Sequence, residues 1–303
     1  MVDPAQPISL IALDIDGTLV GEDLVIGPRT HAAIAEARRR GIAVSLVTGR
    51  MVSSAESFAR QLGLTHPIVG QQGALIRSMP PAGSKRQGRL LYHRTIPPDV
   101  TSEIVRWCEE RRLIAHFNYL EWMIVGAQES RIEEYRLFVG DRLRIVPDIR
   151  VRAASGRVTK VVAIGEGNHT VEVLESAREH FEGRAGVTLS HPRFLEFLAP
   201  GVSKGQAIRW LARRLGVPLA NAIAIGDQYN DLEMIGEVGH GVAMPSAPAA
   251  VQAAARYVAP PVGEEGAAQM IERIALGGWT WDGSGEPSQA PVVSGSLRAI
   301  HKS

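Results

Sequence analysis

The run Ile8-Ser9-Leu10-Ile11-Ala12-Leu13 is apolar at five of six positions and stops abruptly at Asp14-Ile15-Asp16-Gly17. A strand with one wet face alternates polar and apolar residues. A nearly unbroken apolar run needs cover on both faces, which is the condition of a parallel sheet. The pattern recurs at residues 42–47, 67–69 and 222–225. Residues 28–40 read as a helix stopped by Gly41, residues 53–62 as a helix closed by Gly63, and residues 204–215 as a third. Strand and helix alternating in this way predict an α/β fold built on a doubly wound parallel sheet. A short helix at 230–236 and small strands at 242–243 and 257–258 complete it.

The middle of the chain has another texture. Pro80-Pro81-Ala82-Gly83-Ser84-Lys85-Arg86-Gln87-Gly88 interrupts the alternation. Beyond it, strand-like segments at 90–96, 114–119, 122–125, 158–164, 187–190 and 194–197 are mixed with helical ones at 99–111, 131–138 and 170–180. Paired short strands of this kind predict an inserted α+β domain with an antiparallel sheet. The expected organisation is a core of residues 1–82 and 200–278, an insert of 83–199, and a Gly-, Ser- and Pro-rich C-terminal tail of 279–303. A length of 303 residues suits two domains.

Composition narrows the function. Lys and Arg number 33 against 32 Asp and Glu, so no global field attracts nucleic acid or an anionic membrane. The one cysteine, Cys108, lies in a helical stretch with no accompanying base and reads as a packed thiol. No signal peptide and no membrane span is expected, which fits a cytoplasmic enzyme with a small-molecule substrate.

In open parallel sheets, ligands bind beyond the carboxyl ends of the strands. Asp14 and Asp16 follow the first strand, Thr48-Gly49-Arg50 the second, and Gly226-Asp227-Gln228-Tyr229-Asn230-Asp231 the late one; Ser203-Lys204-Gly205 opens the preceding helix. Crowded Asp side chains repel one another unless a hard cation joins them, and an oxygen-only ligand set suits Mg²⁺. Thr48 and Lys204 are natural partners of phosphate oxygens. An Asp carboxylate can itself attack phosphorus. Its approach to an anion costs about 1 kcal/mol at ~4 Å in water and roughly 4 kcal/mol at protein-surface dielectric, a repulsion that a dication and a lysine offset.

These residues resemble the four motifs of the haloacid dehalogenase-like phosphohydrolases, met in order by Asp14-Ile15-Asp16-Gly17-Thr18, Thr48-Gly49-Arg50, Lys204 and Gly226-Asp227-Gln228-Tyr229-Asn230-Asp231. The insert is similar to the class IIB cap of the Cof-like hydrolases, and the resemblance spans residues 8 to 275. It implies Asp14 as nucleophile and Asp16 as general acid and base. It implies Mg²⁺ held by Asp14, Asp227 and the backbone carbonyl of Asp16. Thr48, Lys204 and Asn230 would grip the phosphoryl oxygens, with Asp231 behind them orienting Lys204 or metal-bound water. Gln72, in Gly70-Gln71-Gln72-Gly73-Ala74, stands where that subfamily shows Asn.

Each fragment alone has a plainer reading. Asp-x-Asp-Gly can be a turn, Arg50 can pair locally, and Ser203 can simply cap a helix. Arg38-Arg39-Arg40 suits the C-terminal end of a helix dipole. His93, His116, Tyr119, Trp122, His191 and Arg193 can face a substrate from the insert, but sheet packing explains each as well. It is the conjunction that points to hydrolysis of a small phosphorylated metabolite such as a sugar phosphate. Two alternatives share the motifs: phosphomutase-type phosphoryl transfer, and a non-catalytic phospholigand-binding protein.

Overall fold

The alternation is realised as β1 (Leu10–Leu13), α1 (Pro28–Arg39), β2 (Ala43–Leu46), α2 (Val52–Gln61) and β3 (Ile68–Gly70) in the computed structural model, which describes residues 7–84, 86–281 and 283. β4 (Leu75–Arg77) pairs antiparallel with β3, and β5 (Leu90–His93) pairs antiparallel with β4. The insert was expected to begin at residue 83. The β5–β4 pairing keeps β5 with the first compact unit, which takes the described residues to Arg94, Thr188–Ser190 and those from Gly201 on, while the second unit takes Thr95–Val187 and His191–Pro200.

The segment 95–200 contains α3 (Pro98–Glu110), β6 (Ile114–Tyr119), β7 (Trp122–Gly126), α4 (Ile132–Val139), β8 (Leu143–Val146), α5 (Ile149–Ser155), β9 (Lys160–Ile164), α6 (His169–Glu172), α7 (Leu174–His180), β10 (Gly186–His191) and β11 (Phe194–Leu198). Its six strands lie in the order β10-β11-β9-β6-β7-β8. One pair departs from the expected antiparallel pattern: β7 and β8 run parallel, because α4 carries the chain back between them and a parallel partner needs such a crossover. Trp107, Phe181 and Phe197 meet edge to face at 5.3–6.0 Å on one side of the sheet. Cys108 is buried beside Trp107 in α3, and burial pushes its thiol far above the usual range, leaving it inert.

The chain then completes the first sheet with α8 (Lys204–Leu215), β12 (Ala222–Gly226), α9 (Leu232–Glu237), β13 (His240–Ala243), α10 (Ala249–Ala254), β14 (Tyr257–Val258) and α11 (Gly266–Ile274). The strand order is β14-β13-β12-β1-β2, parallel throughout, and a Val47–Val69 bridge continues it toward β3. Leu10, Ala12, Ala222 and Ala224 pack with Ile208 and Leu211 of α8 and Met234 and Ile235 of α9. Ile11, Leu13, Ile223 and Ile225 point to the other face and are equally buried, which is why the strand sequences carry no polar alternation. Each such side chain contributes roughly 1.5–3 kcal/mol. Successive strands are added on opposite sides of the β1–β12 pair, so the order reverses there and a crevice opens beyond those two carboxyl ends. No helix among the described residues is long and apolar enough to cross a membrane. Residues 284–303 of the expected tail lie outside the described residues.

Candidate active site

Asp14 leaves β1 with its N–H donated to Ile225 of β12 at 3.0 Å, so the two strand ends meet at this residue. Lys204 enters from the first turn of α8, which Ser203 caps by accepting from Gln206 N at 3.0 Å. The capping reading of Ser203 is therefore correct, and it also serves to aim Lys204. The Lys204 ammonium donates to Asp14 Oδ1 at 2.7 Å and to Asp231 Oδ1 at 2.6 Å, all three side chains being almost solvent-free. Asp231 Oδ2 accepts from the backbone N–H groups of Asp227 at 3.1 Å and Gln228 at 3.0 Å. Both oxygens of Asp231 are thus committed.

Asp227, the first residue beyond β12, completes a cluster whose carboxylates reach within 4.8 Å of one another with Asp14 and Asp231. Its Oδ2 accepts from Gln228 Nε2 at 3.2 Å, whereas its Oδ1 is buried with no hydrogen-bond partner among the described residues. Three ionised carboxylates against one ammonium leave an excess of negative charge. Burial first, then Asp231, pushes the Asp227 pKa up to about 7. Burial likewise holds Asp14 well above the carboxylate range, with Asp231 and Asp227 adding to it and Lys204 opposing. Burial pulls Lys204 down, but Asp14 and Asp231 outweigh it and keep the ammonium charged above its ordinary range.

This donor set fits Mg²⁺. It is all oxygen, it carries excess negative charge, and it includes an orphaned carboxylate oxygen on Asp227. Gly17 makes the room: its φ is +75°, and a Cβ there would lie 2.4 Å from Asp227 Oδ2.

The other predicted residues lie off this cluster. Asp16 is half-exposed, and Arg50 donates to both of its carboxylate oxygens, Nε to Oδ2 at 2.6 Å and Nη2 to Oδ1. Arg50 is itself held over the Phe58 ring at 5.2 Å. Thr48 is buried, its Oγ1 accepting from Arg50 N at 3.2 Å. Asn230 donates Nδ2 to Gln72 Oε1 at 2.8 Å.

Sequence reasoning passed over Arg50 as a local pair, and no signal in Thr-Gly-Arg discloses that its partner is Asp16. Of the candidates in the insert, His116 packs against Tyr135 at 5.4 Å, Trp122 lies under Arg144 at 3.8 Å, and His191 accepts from Arg193 N at 3.1 Å, which are packing roles. Sequence also missed the buried Lys160–Glu196 pair of the second unit, at 2.9 Å.

A family model for haloacid dehalogenase-like hydrolases matches residues 11–271. Among solved structures, a haloacid dehalogenase-like hydrolase from Bacteroides thetaiotaomicron is 26% identical, with 88% of this chain and 99% of that one covered and a TM-score of 0.72. A protein from Thermotoga maritima is 25% identical, with 88% and 97% covered and a TM-score of 0.71. A sugar phosphatase of subclass IIB shares the fold at 23% identity, with 88% and 99% covered and a TM-score of 0.72.

Proposed function

The chain belongs to the haloacid dehalogenase-like hydrolase family, and on that premise we propose that it is a magnesium-dependent phosphatase acting on a small phosphorylated metabolite, a sugar phosphate in class. The observation that carries the reading is the buried Asp14–Lys204–Asp231 arrangement with Asp227 beside it, at the carboxyl ends of β1 and β12. The sugar-phosphate class draws support from the fold shared with the subclass IIB sugar phosphatase. On the same reading the second unit is the class IIB cap.

Lys204 engages Oδ1 of Asp14, which leaves Oδ2 as the attacking atom. That oxygen bonds to phosphorus as the bond from phosphorus to the leaving oxygen breaks. Asp16 turns from Arg50, takes up a proton from solvent as that ion pair opens, and delivers it to the departing alkoxide. Asp16, now a carboxylate, takes a proton from water. The water oxygen bonds to phosphorus, the bond from Asp14 to phosphorus breaks, and inorganic phosphate leaves with Asp14 restored. Lys204, Thr48 and Asn230 orient the phosphoryl oxygens throughout, with Asp231 holding Lys204 in place. The carboxylates of Asp14 and Asp227 and the backbone carbonyl of Asp16 would hold Mg²⁺, which would supply positive charge against the phosphoryl group.

The test is phosphate release from an aryl phosphate and a panel of sugar phosphates, with Mg²⁺ and with a chelator, in the native chain and in Asp14→Asn. Release that needs Mg²⁺ and vanishes in Asp14→Asn is the expected result. Undiminished release by that variant overturns the proposal.

A further inference from the structure

Gln71 and Gln72 are consecutive non-glycine residues in the left-handed region, with φ of +51° and +59°, and both are buried. Side chains avoid that region unless their surroundings hold them there, and such outliers cluster where a site must be kept in shape. The surroundings here belong to the site. Gln72 N donates to Thr48 O at 3.0 Å, and Gln71 N donates to Arg50 O at 2.9 Å, so the turn is laced to the Thr48-Gly49-Arg50 loop. The Gln72 side chain then lies across Gly49, where a Cβ would come within 2.4 Å of its Nε2. From there its Oε1 accepts from Asn230 Nδ2 at 2.8 Å, 158 residues away in sequence. Among the described residues the buried Asn230 Oδ1 has no partner, so none of them besides Gln72 fixes which way that amide faces.

We propose that Gln72 is a positioning residue that acts through Asn230: its strained turn joins the loop after β2 to the loop after β12 and sets the face that Asn230 presents to the bound phosphoryl group. The inference rests on the phosphatase reading above and assigns the role of specifying Asn230 to a residue that touches no substrate atom. A glutamine suits the task because its side chain lies over Gly49 and still reaches Asn230.

The experiment compares Gln72→Met, which keeps length and bulk but removes the acceptor, with Asn230→Ala and the double variant. KM for a phosphomonoester and the inhibition constant of inorganic phosphate are each expected to rise about five-fold in Gln72→Met, the loss of one neutral hydrogen bond, with kcat within about two-fold. The double variant is expected to match Asn230→Ala alone, because both changes remove one interaction. In nitrogen-15 spectra the Asn230 side-chain amide signals shift, and their exchange with solvent quickens, in Gln72→Met. Gln72→Gly, whose backbone adopts the left-handed region readily, gives the same kinetic change should the methionine variant fold poorly. Unchanged constants, effects that multiply with Asn230→Ala, or unmoved amide signals overturn the inference while native turnover upholds the phosphatase reading. A native chain that neither turns over nor binds phosphate overturns both.

Discussion

Gly17 and Asp227 are in mutual contact across the site: the space a Cβ would occupy on Gly17 is already filled by Oδ2 of Asp227, at 2.4 Å. Gly17→Ala therefore has two defects, a left-handed φ of +75° that Ala resists and a displaced carboxylate. It is expected to lower stability by about 1–3 kcal/mol and Mg²⁺ affinity by at least about ten-fold. Thermal unfolding and magnesium titration measure the two; native values for both would refute the role given to this contact.

Lys204 is the only cation hydrogen-bonded to Asp14 and Asp231 among the described residues. Lys204→Met leaves their carboxylates buried and uncompensated, at a cost of about 3–5 kcal/mol in chelator. Part of that loss returns on adding Mg²⁺, while phosphate release stays down by about a hundred-fold or more. Urea unfolding with and without Mg²⁺ is the check, and a variant as stable as the native chain in chelator contradicts it.

The Asp227 pKa of about 7 makes magnesium stabilisation dependent on pH. In the ion-free fold this carboxyl holds its proton above its unfolded pKa, so its contribution is fully present below about 4 and is lost as pH rises through about 7. Mg²⁺ needs the carboxylate, so it competes with the proton below pH 7 and binds unopposed above it. The rise in Tm on adding Mg²⁺ is expected to be larger at pH 8 than at pH 5.5. Equal shifts at the two pH values would show that Asp227 is not a ligand that titrates in this window.

Glu265 caps a helix it does not belong to. Its carboxylate accepts from Arg29 N at 3.4 Å and Thr30 N at 2.7 Å in the first turn of α1, whose own cap position, Gly27, offers no side chain. Glu265→Ala is expected to cost about 1–2 kcal/mol, lowering Tm by several degrees, with kcat unchanged. Differential calorimetry alongside a turnover assay tests this, and a Tm equal to the native value would show that the cap contributes nothing.

The legible parts of the molecule are those where one physical demand acts alone. β1, β2 and β12 must be apolar on both faces, so their runs stand out, and Asp14 and Asp227 declare themselves by ending them. β4 and β8 escaped notice because three or four residues with arginines among them carry no period, and β8 lies at a sheet edge with Arg144 and Ile145 exposed. α10 was missed for lack of contrast, since Ala249–Ala254 is mostly alanine and shows no strong polar face, whereas α11 was passed over although its buried and exposed residues separate at helical spacing. Arg50 and Gln72 were visible as residues, but their partners were not: which way a side chain leaves a left-handed turn, and what it finds there, depends on elements far along the chain.

Asp14 and Lys204 are 190 residues apart, and β1 obtains its β12 neighbour only once the chain has been made as far as Gly226. During synthesis β1 can pair with β2, but its other edge stays open while the whole second unit is translated. That interval exposes an apolar strand edge, the kind of surface from which aggregation starts. An insert that folds from its own local contacts shortens the effective loop β12 must close to reach β1, because a folded domain brings its two ends nearer than a slack chain of the same length. Weakening the insert is therefore expected to lower the yield of folded protein even when every catalytic residue is intact.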